Sequence, residues 1–226
     1  SLEIGALKKL LKGKDIKKYL INWSGYYVIY PYDENSQALS EAVLKNDYPN
    51  VFEYLKECKD LLKGRDYFDN STKKWFELWN QRNFENFKAY RIVSPEITDR
   101  NNFILTNSYY GNTKTYHIIP KDKSLDNYLF LLGVLNSTLL DYIYKKITTP
   151  QAGGFYAYKT QFLGKLPIKV VEQQRPYAEI VSKILQAKKE DPIANTQKLE
   201  KQIDQMIYQL YDLTEEEIAI IEGSVK

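Results

Sequence analysis

TTPQAGGFYAYKTQFLGKLPIKV, residues 148–170, sets two adjacent glycines, Gly153 and Gly154, directly before Phe155, Tyr156 and Tyr158. Lys159 and Gln161 follow, and Leu166-Pro167-Ile168 closes the passage. Read as a strand, side chains alternate between two faces. Lys159 and Gln161 then share a face with Phe155 and Ala157, and Tyr156 and Tyr158 share the other. One face suits a ligand and the other a core, and the sequence leaves open which is wet. The glycines have two readings: a backbone that something approaches closely, or a turn that needs their conformational freedom.

Upstream lies SLDNYLFLLGVLNSTLLDYIYKKI, residues 124–147, an apolar helical stretch with Ser124 as N-cap. It is expected to break at Asn136-Ser137, where a second cap is available. Downstream the composition shifts. Residues 173–191 read as a helix that Pro192 ends. Residues 196–213 read as a second helix, with Leu199, Ile203, Met206, Ile207 and Leu210 on one stripe. Thr214 and Glu217 stand at capping-box spacing before a last helix ending at Gly223. Two such helices with a short joint make an αα-hairpin.

The first 120 residues mix both periods. Residues 23–32 read as a strand stopped by Pro31, and residues 88–98 as a strand ended by Pro95. Residues 101–120 read as two strands around a turn at Tyr109 to Asn112. YPNVFEYLKECKDLL, residues 48–62, reads as one amphipathic helix with Val51, Tyr54, Leu55, Cys58, Leu61 and Leu62 on its apolar face. The fold class expected is therefore α+β: a mixed strand-and-helix domain over residues 1–170, then a helical hairpin tail over 171–226.

Composition narrows the class. No run of 18 apolar residues is present, so no transmembrane helix and no membrane partner are expected. No charged-then-apolar leader opens the chain, and a cytoplasmic location is the default expectation. The start at Ser1 suggests a fragment. A single cysteine, Cys58, excludes an internal disulfide and a cysteine-based zinc cluster, and a single histidine, His117, leaves no His-rich metal site. Residues 1–170 hold 25 Lys/Arg against 18 Asp/Glu, and residues 171–226 hold 7 against 11. A basic body with an acidic tail suggests a polyanionic partner. Twenty tyrosines suit a wet interface or a small core equally.

Catalytic motifs are largely missing. The sequence contains no Walker loop, no GxGxxG and no Asn/Asp-Pro-Pro-aromatic tetrapeptide. Asp47, Glu57 and Lys59 nominally match a metal-dependent nuclease pattern. Their helical setting points Glu57 and Lys59 apart, which favours a solvated helix face. His117 reads as a structural strand residue, and Trp75 with Trp79 as a helical packing pair or, less favoured, a stacking surface beside Arg82. Positive signs are of another kind. Residues 1–19 are Lys-rich with scattered leucines and offer Lys14, Lys17 and Lys18, and basic residues alternate with amides and aromatics at Lys73 and Lys74, at Arg82 and Asn83, and at Tyr110, Asn112 and Lys114. They do so again at Gly153, Gly154, Tyr156, Tyr158, Lys159 and Gln161. Lysines neutralise phosphates, and Asn, Gln and Arg read base edges. Double-stranded DNA is the partner this set suits. A protein-interaction module using the tyrosines and the tail is the rival reading.

The order of elements resembles the TaqI-like C-terminal specificity domain, the target-recognition domain of type IIG restriction enzymes and adenine-specific DNA methyltransferases. The stretches that carry the likeness are LKGKDIKKY (11–19), YPNVFEYLKECKDLLKGR (48–65) and WFELWNQRNFENFKAYRIVSPEI (75–97). YYGNTKTYHIIP (109–120), LFLLGVLNSTLLDYIYKKIT (129–148) and GGFYAYKTQFLGKLPI (153–168) complete the series. The passage into KLPIKVVEQQRPYAEIVSKIL is also similar to specificity subunits of type I restriction systems. The resemblance implies sequence-specific DNA recognition without catalytic or metal-ligating residues in this chain. It also implies a catalytic region N-terminal on the same longer chain. S-adenosylmethionine, and magnesium where DNA is also cut, would be cofactors of that parent enzyme and not of this part. In such enzymes the target adenine is flipped out of the duplex.

Overall fold

The structure is a computed structural model that describes residues 1–65, 71–81 and 88–224. The strands are, in chain order, β1 (Leu7–Leu11), β2 (Ile16–Lys17), β3 (Leu20–Ile21), β4 (Tyr27–Ile29), β5 (Arg91–Pro95) and β6 (Ile97–Thr98). They continue with β7 (Ile104–Thr106), β8 (Tyr110–Gly111), β9 (Thr115–Ile118), β10 (Pro150–Gln151) and β11 (Phe155–Ala157). The helices are α1 (Glu41–Asp47), α2 (Pro49–Glu57), α3 (Lys59–Lys63), α4 (Leu125–Leu135) and α5 (Thr138–Ile147). After them come α6 (Thr160–Leu163), α7 (Arg175–Glu190), α8 (Gln197–Leu210) and α9 (Glu215–Gly223). The α+β expectation holds. The chain divides into two compact units, one of residues 1–10, 25–89 and 108–110, the other of residues 11–24, 90–107 and 111–226.

In the first unit β1 pairs antiparallel with β4, matching Leu7 with Ile29 and Lys9 with Tyr27. Ala6, Leu44, Val51, Leu55, Trp75 and Phe76 form its main core. Residues 48–62 do not form one helix. The chain leaves helical geometry at Cys58 (φ −94°, ψ 7°) and restarts as α3. Val51 and Leu55 are buried as expected, whereas Tyr54 within α2 and Leu61 beyond the break are exposed, Leu61 by 81%. Pro49 opens α2, where a missing N–H costs nothing. The Glu3 carboxylate supplies the cap, accepting from Asn50 N at 2.9 Å, Asn50 Nδ2 at 2.6 Å and Val51 N at 2.9 Å. Trp75 and Trp79 are not a helical pair. Trp75 is buried edge-on to Phe76 and donates to Glu41 Oε1 at 2.7 Å, while Trp79 is 60% exposed.

The second unit contains the larger core. β5 is the central strand of a sheet ordered β7-β5-β9, so the two strands read as neighbours around a turn instead flank a third. Its run Arg-Ile-Val-Ser-Pro is buried throughout, as a strand covered on both faces requires. α4 and α5 break where expected. Ser124 Oγ accepts from Asn127 N, and Ser137 Oγ from Leu140 N. The helical tail packs back on α4. A Cβ on Gly133 would stand 2.9 Å from Val181 Cγ2 on α7 and 3.3 Å from Ile203 Cγ1 on α8. Gly133 is thus a close crossing point, and the stripe centred on Ile203 and Ile207 is buried there. Thr214 and Glu217 form the capping box of α9.

Polar side chains fix the interruption at residues 136–137. The Asn136 amide clamps one residue of the facing segment: Phe103 N donates to Asn136 Oδ1 (3.0 Å), and Asn136 Nδ2 donates to Phe103 O (2.9 Å). Asn101 Nδ2 donates to Leu135 O (2.6 Å), and Asn101 N to Asp141 Oδ1 (2.7 Å). On the far side, Thr138 donates from N and Oγ1 to the two carboxylate oxygens of Asp204 on α8, at 2.9 and 2.7 Å. Burial pushes the Asp204 carboxyl above the usual carboxylate range, although Thr138 and Lys18 work against it.

Asn136→Ala leaves the buried N–H of Phe103 without a partner, while its C=O keeps Tyr19 N at 3.2 Å. A loss of about 1–3 kcal/mol in urea unfolding is expected. A second expectation concerns pH. Burial acts to raise the Glu3 carboxyl, but its hydrogen bonds to Asn50 and Val51 outweigh that and hold it down to about 2 from its ordinary 4.5. A depressed carboxylate contributes stability above its unfolded value, and loses it as pH falls through the folded one. Glu3→Gln should therefore be less stable than the parent at pH 7, and the gap should narrow in unfolding curves taken near pH 2.

Candidate nucleic-acid interface

Asp15, fully buried, anchors the turn that starts the site. Its carboxylate accepts from Lys12 N at 3.0 Å and from Ser24 Oγ. The 3-10 turn Gly13–Asp15 that results lies against β5 and against Lys114, just before β9. A Cβ on Gly13 would come within 3.3 Å of Lys114 O and of Pro95 Cβ, so glycine permits the approach. Asn112 Oδ1 accepts from Lys114 N at 2.9 Å and shapes the loop before β9. Lys114 Nζ lies 2.9 Å from Glu96 Oε2, which holds its ammonium above the usual lysine range.

The ribbon of residues 150–157 adds the next wall. β11 pairs antiparallel with β10 and with β6, matching Tyr156 with Thr98 and Ala157 with Ile97. Gly153 and Gly154 both have positive φ, +75° and +78°. No heavy atom lies within 4 Å of a Cβ built on Gly154, and only the Phe155 ring lies near one on Gly153. Backbone conformation, not close approach, therefore demands these two glycines.

These walls enclose a concavity of about 490 Å³ within the second unit. Lys14, Lys17, Asn112 and Lys114 line it together with Phe155, Asp99 and Glu96. The 3-10 turn, the Asn112 loop and the ribbon, far apart in sequence, thus converge on one surface. Asp99 and Glu96 were not singled out in the sequence. The signal for Asp99 was a polar run, Asp99 to Asn102, directly after a strand.

The other expected site residues lie elsewhere. Lys18 lines a neighbouring hollow of about 190 Å³ and pairs with Glu200 Oε2 at 2.8 Å. In the first unit Lys74 Nζ donates to the carbonyls of Ala38 (3.0 Å) and Leu39 (2.8 Å), and Lys73 Nζ to that of Leu78 (3.1 Å). Both lysines tie their own loops together at the edge of a hollow that Trp79 also lines. Arg82 and Asn83 lie outside the described residues. Tyr110 is buried against Tyr30, with ring centroids 5.4 Å apart. Tyr158 is fully buried, stacked on Tyr144 at 4.2 Å, and donates from Oη to Asn101 Oδ1 at 2.5 Å. Burial drives its phenol well above the ordinary tyrosine range. The structure places both rings in the core instead of on a binding face. Tyr156 is half-buried beneath Lys145, whose Nζ is 5.7 Å from the ring centre.

The alternation expected along the ribbon also fails. Phe155 is 43% exposed while Ala157, two residues on in the same strand, is buried, and β11 ends there. Tyr144 Oη and Thr148 Oγ1 both donate to Ala157 O, at 2.8 and 2.5 Å. Lys159 then caps α6 and Gln161 lies inside it, so these two exposed residues do not share a strand face.

The nominal nuclease residues sit on three helices: Asp47 at the end of α1, Glu57 at the end of α2 and Lys59 at the start of α3. Lys59 Nζ stands over the Trp75 ring at 4.9 Å. Among the described residues no three His, Cys, Asp or Glu side chains are grouped to hold a metal ion. His117 stands in β9 opposite Val93, with its Nε2 3.4 Å from Thr115 Oγ1.

Comparison with known proteins gives a match to the TaqI-like C-terminal specificity domain over residues 8–168. The chain is 20% identical to the type II methyltransferase M.BstVI of Geobacillus stearothermophilus, covering all of this chain and 37% of that protein. It is 27% identical to the type II methyltransferase M.MjaIV of Methanocaldococcus jannaschii, over 89% of this chain and 67% of that protein. To M.XhoI of Xanthomonas vasicola it is 24% identical, over 94% of this chain and 36% of that one. The chain thus spans little more than a third of the length of two of these relatives.

Glycine at positive φ carries a definite cost when replaced. Gly154→Ala meets no steric neighbour, so it should lower stability by about 1 kcal/mol through backbone strain alone. Urea unfolding of the single variant measures it.

Proposed function

This chain belongs to the TaqI-like C-terminal specificity domain family, and from that membership we propose that it is the DNA target-recognition module of a type II modification enzyme. The observation that carries this reading is the concavity of the second unit. Lys14 and Lys17 bring positive charge to it, Asn112 an amide able to pair with a base edge, and Phe155 an exposed ring. Phosphate contacts fix register, and base-edge contacts supply sequence. A recognition surface needs both kinds of group in one place.

In this reading, methyl transfer belongs to a region of the longer protein that relatives such as M.BstVI carry over the remainder of their length. S-adenosylmethionine would bind there, and the target adenine would enter that region flipped out of the duplex. This chain's residues bind and orient the duplex.

The test is selection from a randomised duplex pool at low salt without divalent metal, with sequencing of the bound fraction. An enriched motif whose binding weakens steeply with salt supports the module. Binding that is indifferent to salt, or none, sinks it. Lys17 is exposed. Lys17→Ala should weaken binding about equally across sequences and lower the slope of log affinity against log salt by about 0.9, one phosphate contact.

A further inference from the structure

We propose that Asp99 is a base-reading residue, accepting a hydrogen bond from the N4 amino group of cytosine in the major groove. The inference rests on the recognition-module reading and goes on to name a chemical group read at that site.

The concavity contains two carboxylates that a phosphate-gripping surface does not need. Glu96 is accounted for, because Lys114 Nζ lies 2.9 Å from it. Asp99 is different. Its side chain is 47% exposed at the lining of the concavity. Its Oδ2 accepts from Arg100 Nε at 3.0 Å. Its Oδ1 has Thr98 Oγ1 at 3.3 Å, long for a hydroxyl on a carboxylate, where 2.5–2.7 Å is usual. An ionised carboxylate only accepts, at about four lone-pair positions. Oδ1 therefore keeps acceptor capacity, on a side chain that lines both the concavity and the neighbouring hollow. Arg100 also keeps the group ionised: burial acts to raise the carboxyl, but the guanidinium holds it below the usual range.

A carboxylate beside DNA is repelled by phosphate, so its favourable partner there is a donor on a base edge. In the major groove cytosine presents an amino donor, and Asp or Glu is the side chain that accepts from it. Adenine's amino group stands beside the N7 acceptor, which suits an amide better. Asn112, on the same lining, has that chemistry.

The position of Asp99 is also fixed in advance. Tyr156 pairs with Thr98 across β11 and β6. Continuing that antiparallel register by one residue sets Phe155 opposite Asp99. Phe155, with its exposed ring, and Asp99 both line the concavity. Thr98 Oγ1 in turn accepts from Asn102 Nδ2 at 2.6 Å, which steadies the backbone that carries Asp99.

The rival role for Asp99 is indirect: to hold Arg100, which would then read guanine through its O6 and N7. The experiment separates them. The parent chain and Asp99→Asn are both taken through the randomised-duplex selection. Each required cytosine in the parent's motif is then replaced in turn by 2-pyrimidinone, which lacks only the amino group. At one position this should weaken the parent about tenfold and change Asp99→Asn by less than about twofold. Asp99→Asn should also lose its selectivity at that position alone. The proposal is overturned if every amino deletion affects parent and variant alike, or if the variant loses a guanine preference instead. It is also overturned if Asp99→Asn only tightens binding to all sequences. A parent that enriches no motif would overturn the recognition-module reading as well, whereas a clear motif with no amino dependence overturns only the role of Asp99.

Discussion

The second unit depends on a carboxamide pairing with a backbone. Asn136 meets the N–H and C=O of Phe103 as a neighbouring strand would, but from the end of a helix. A helix that stops in a core exposes carbonyls and amides that must find partners. Here the partners come from three directions. Asn101 satisfies Leu135 O, Ser137 caps Leu140 N, and Asp204 takes Thr138 N. Each side chain belongs to a different part of the unit, so closing the break also docks the 101–103 segment and the tail. Leaving any of these buried groups unpaired costs about 1–3 kcal/mol, comparable with a sizeable fraction of a domain's total stability.

From that clamp the order of the site follows. Residues 101–103 are fixed on α4 and α5, and β6 and Asp99 lie immediately before them. β6 receives β11, whose end is secured by Tyr144 and Thr148 on Ala157 O. Tyr158 then turns inward to stack on Tyr144 and to donate to Asn101, returning the chain to the same network. Asp99 and Phe155 are therefore carried by segments whose next residues are tied to the buried polar centre. This is the arrangement that holds recognition groups at little further entropic cost on binding.

What was legible in the sequence was local. The caps at Ser124, Ser137 and Thr214 were readable because a cap acts within three residues. Non-local pairings were not. Nothing between residues 101 and 120 announces that β5 lies between β7 and β9. The strand period of the ribbon could not reveal that β11 stops at Ala157, because the stop is made by side chains on α5. Tyrosine content left core and interface equally open for a related reason. Tyr19, Tyr30, Tyr128, Tyr144, Tyr158 and Tyr208 are almost completely buried, so the rings build cores, with Tyr144 and Tyr158 also pairing their hydroxyls. The turn residues Lys14 and Lys17 were legible as candidates, whereas their convergence with Asn112 and Phe155 required the fold.

The charge asymmetry has a similar double meaning. A basic body and an acidic tail suggest an external polyanion, yet part of the difference is settled inside the unit. Lys18 meets Glu200 of α8, and Lys169 meets Asp212. Burial acts to raise the Glu200 carboxyl, but Lys18 outweighs it and keeps the group ionised. The tail's acids thus draw some of the body's lysines away from any ligand. Those left at the concavity share it with Asp99 and Glu96, and each carboxylate subtracts from attraction for phosphate. A surface evolved only for grip on DNA would gain from losing them. Glu96 is held by Lys114, so the carboxylate left to explain is Asp99; on the proposed reading its place beside Lys14 and Lys17 trades affinity for discrimination, because an acceptor repels every duplex except one that offers it a donor.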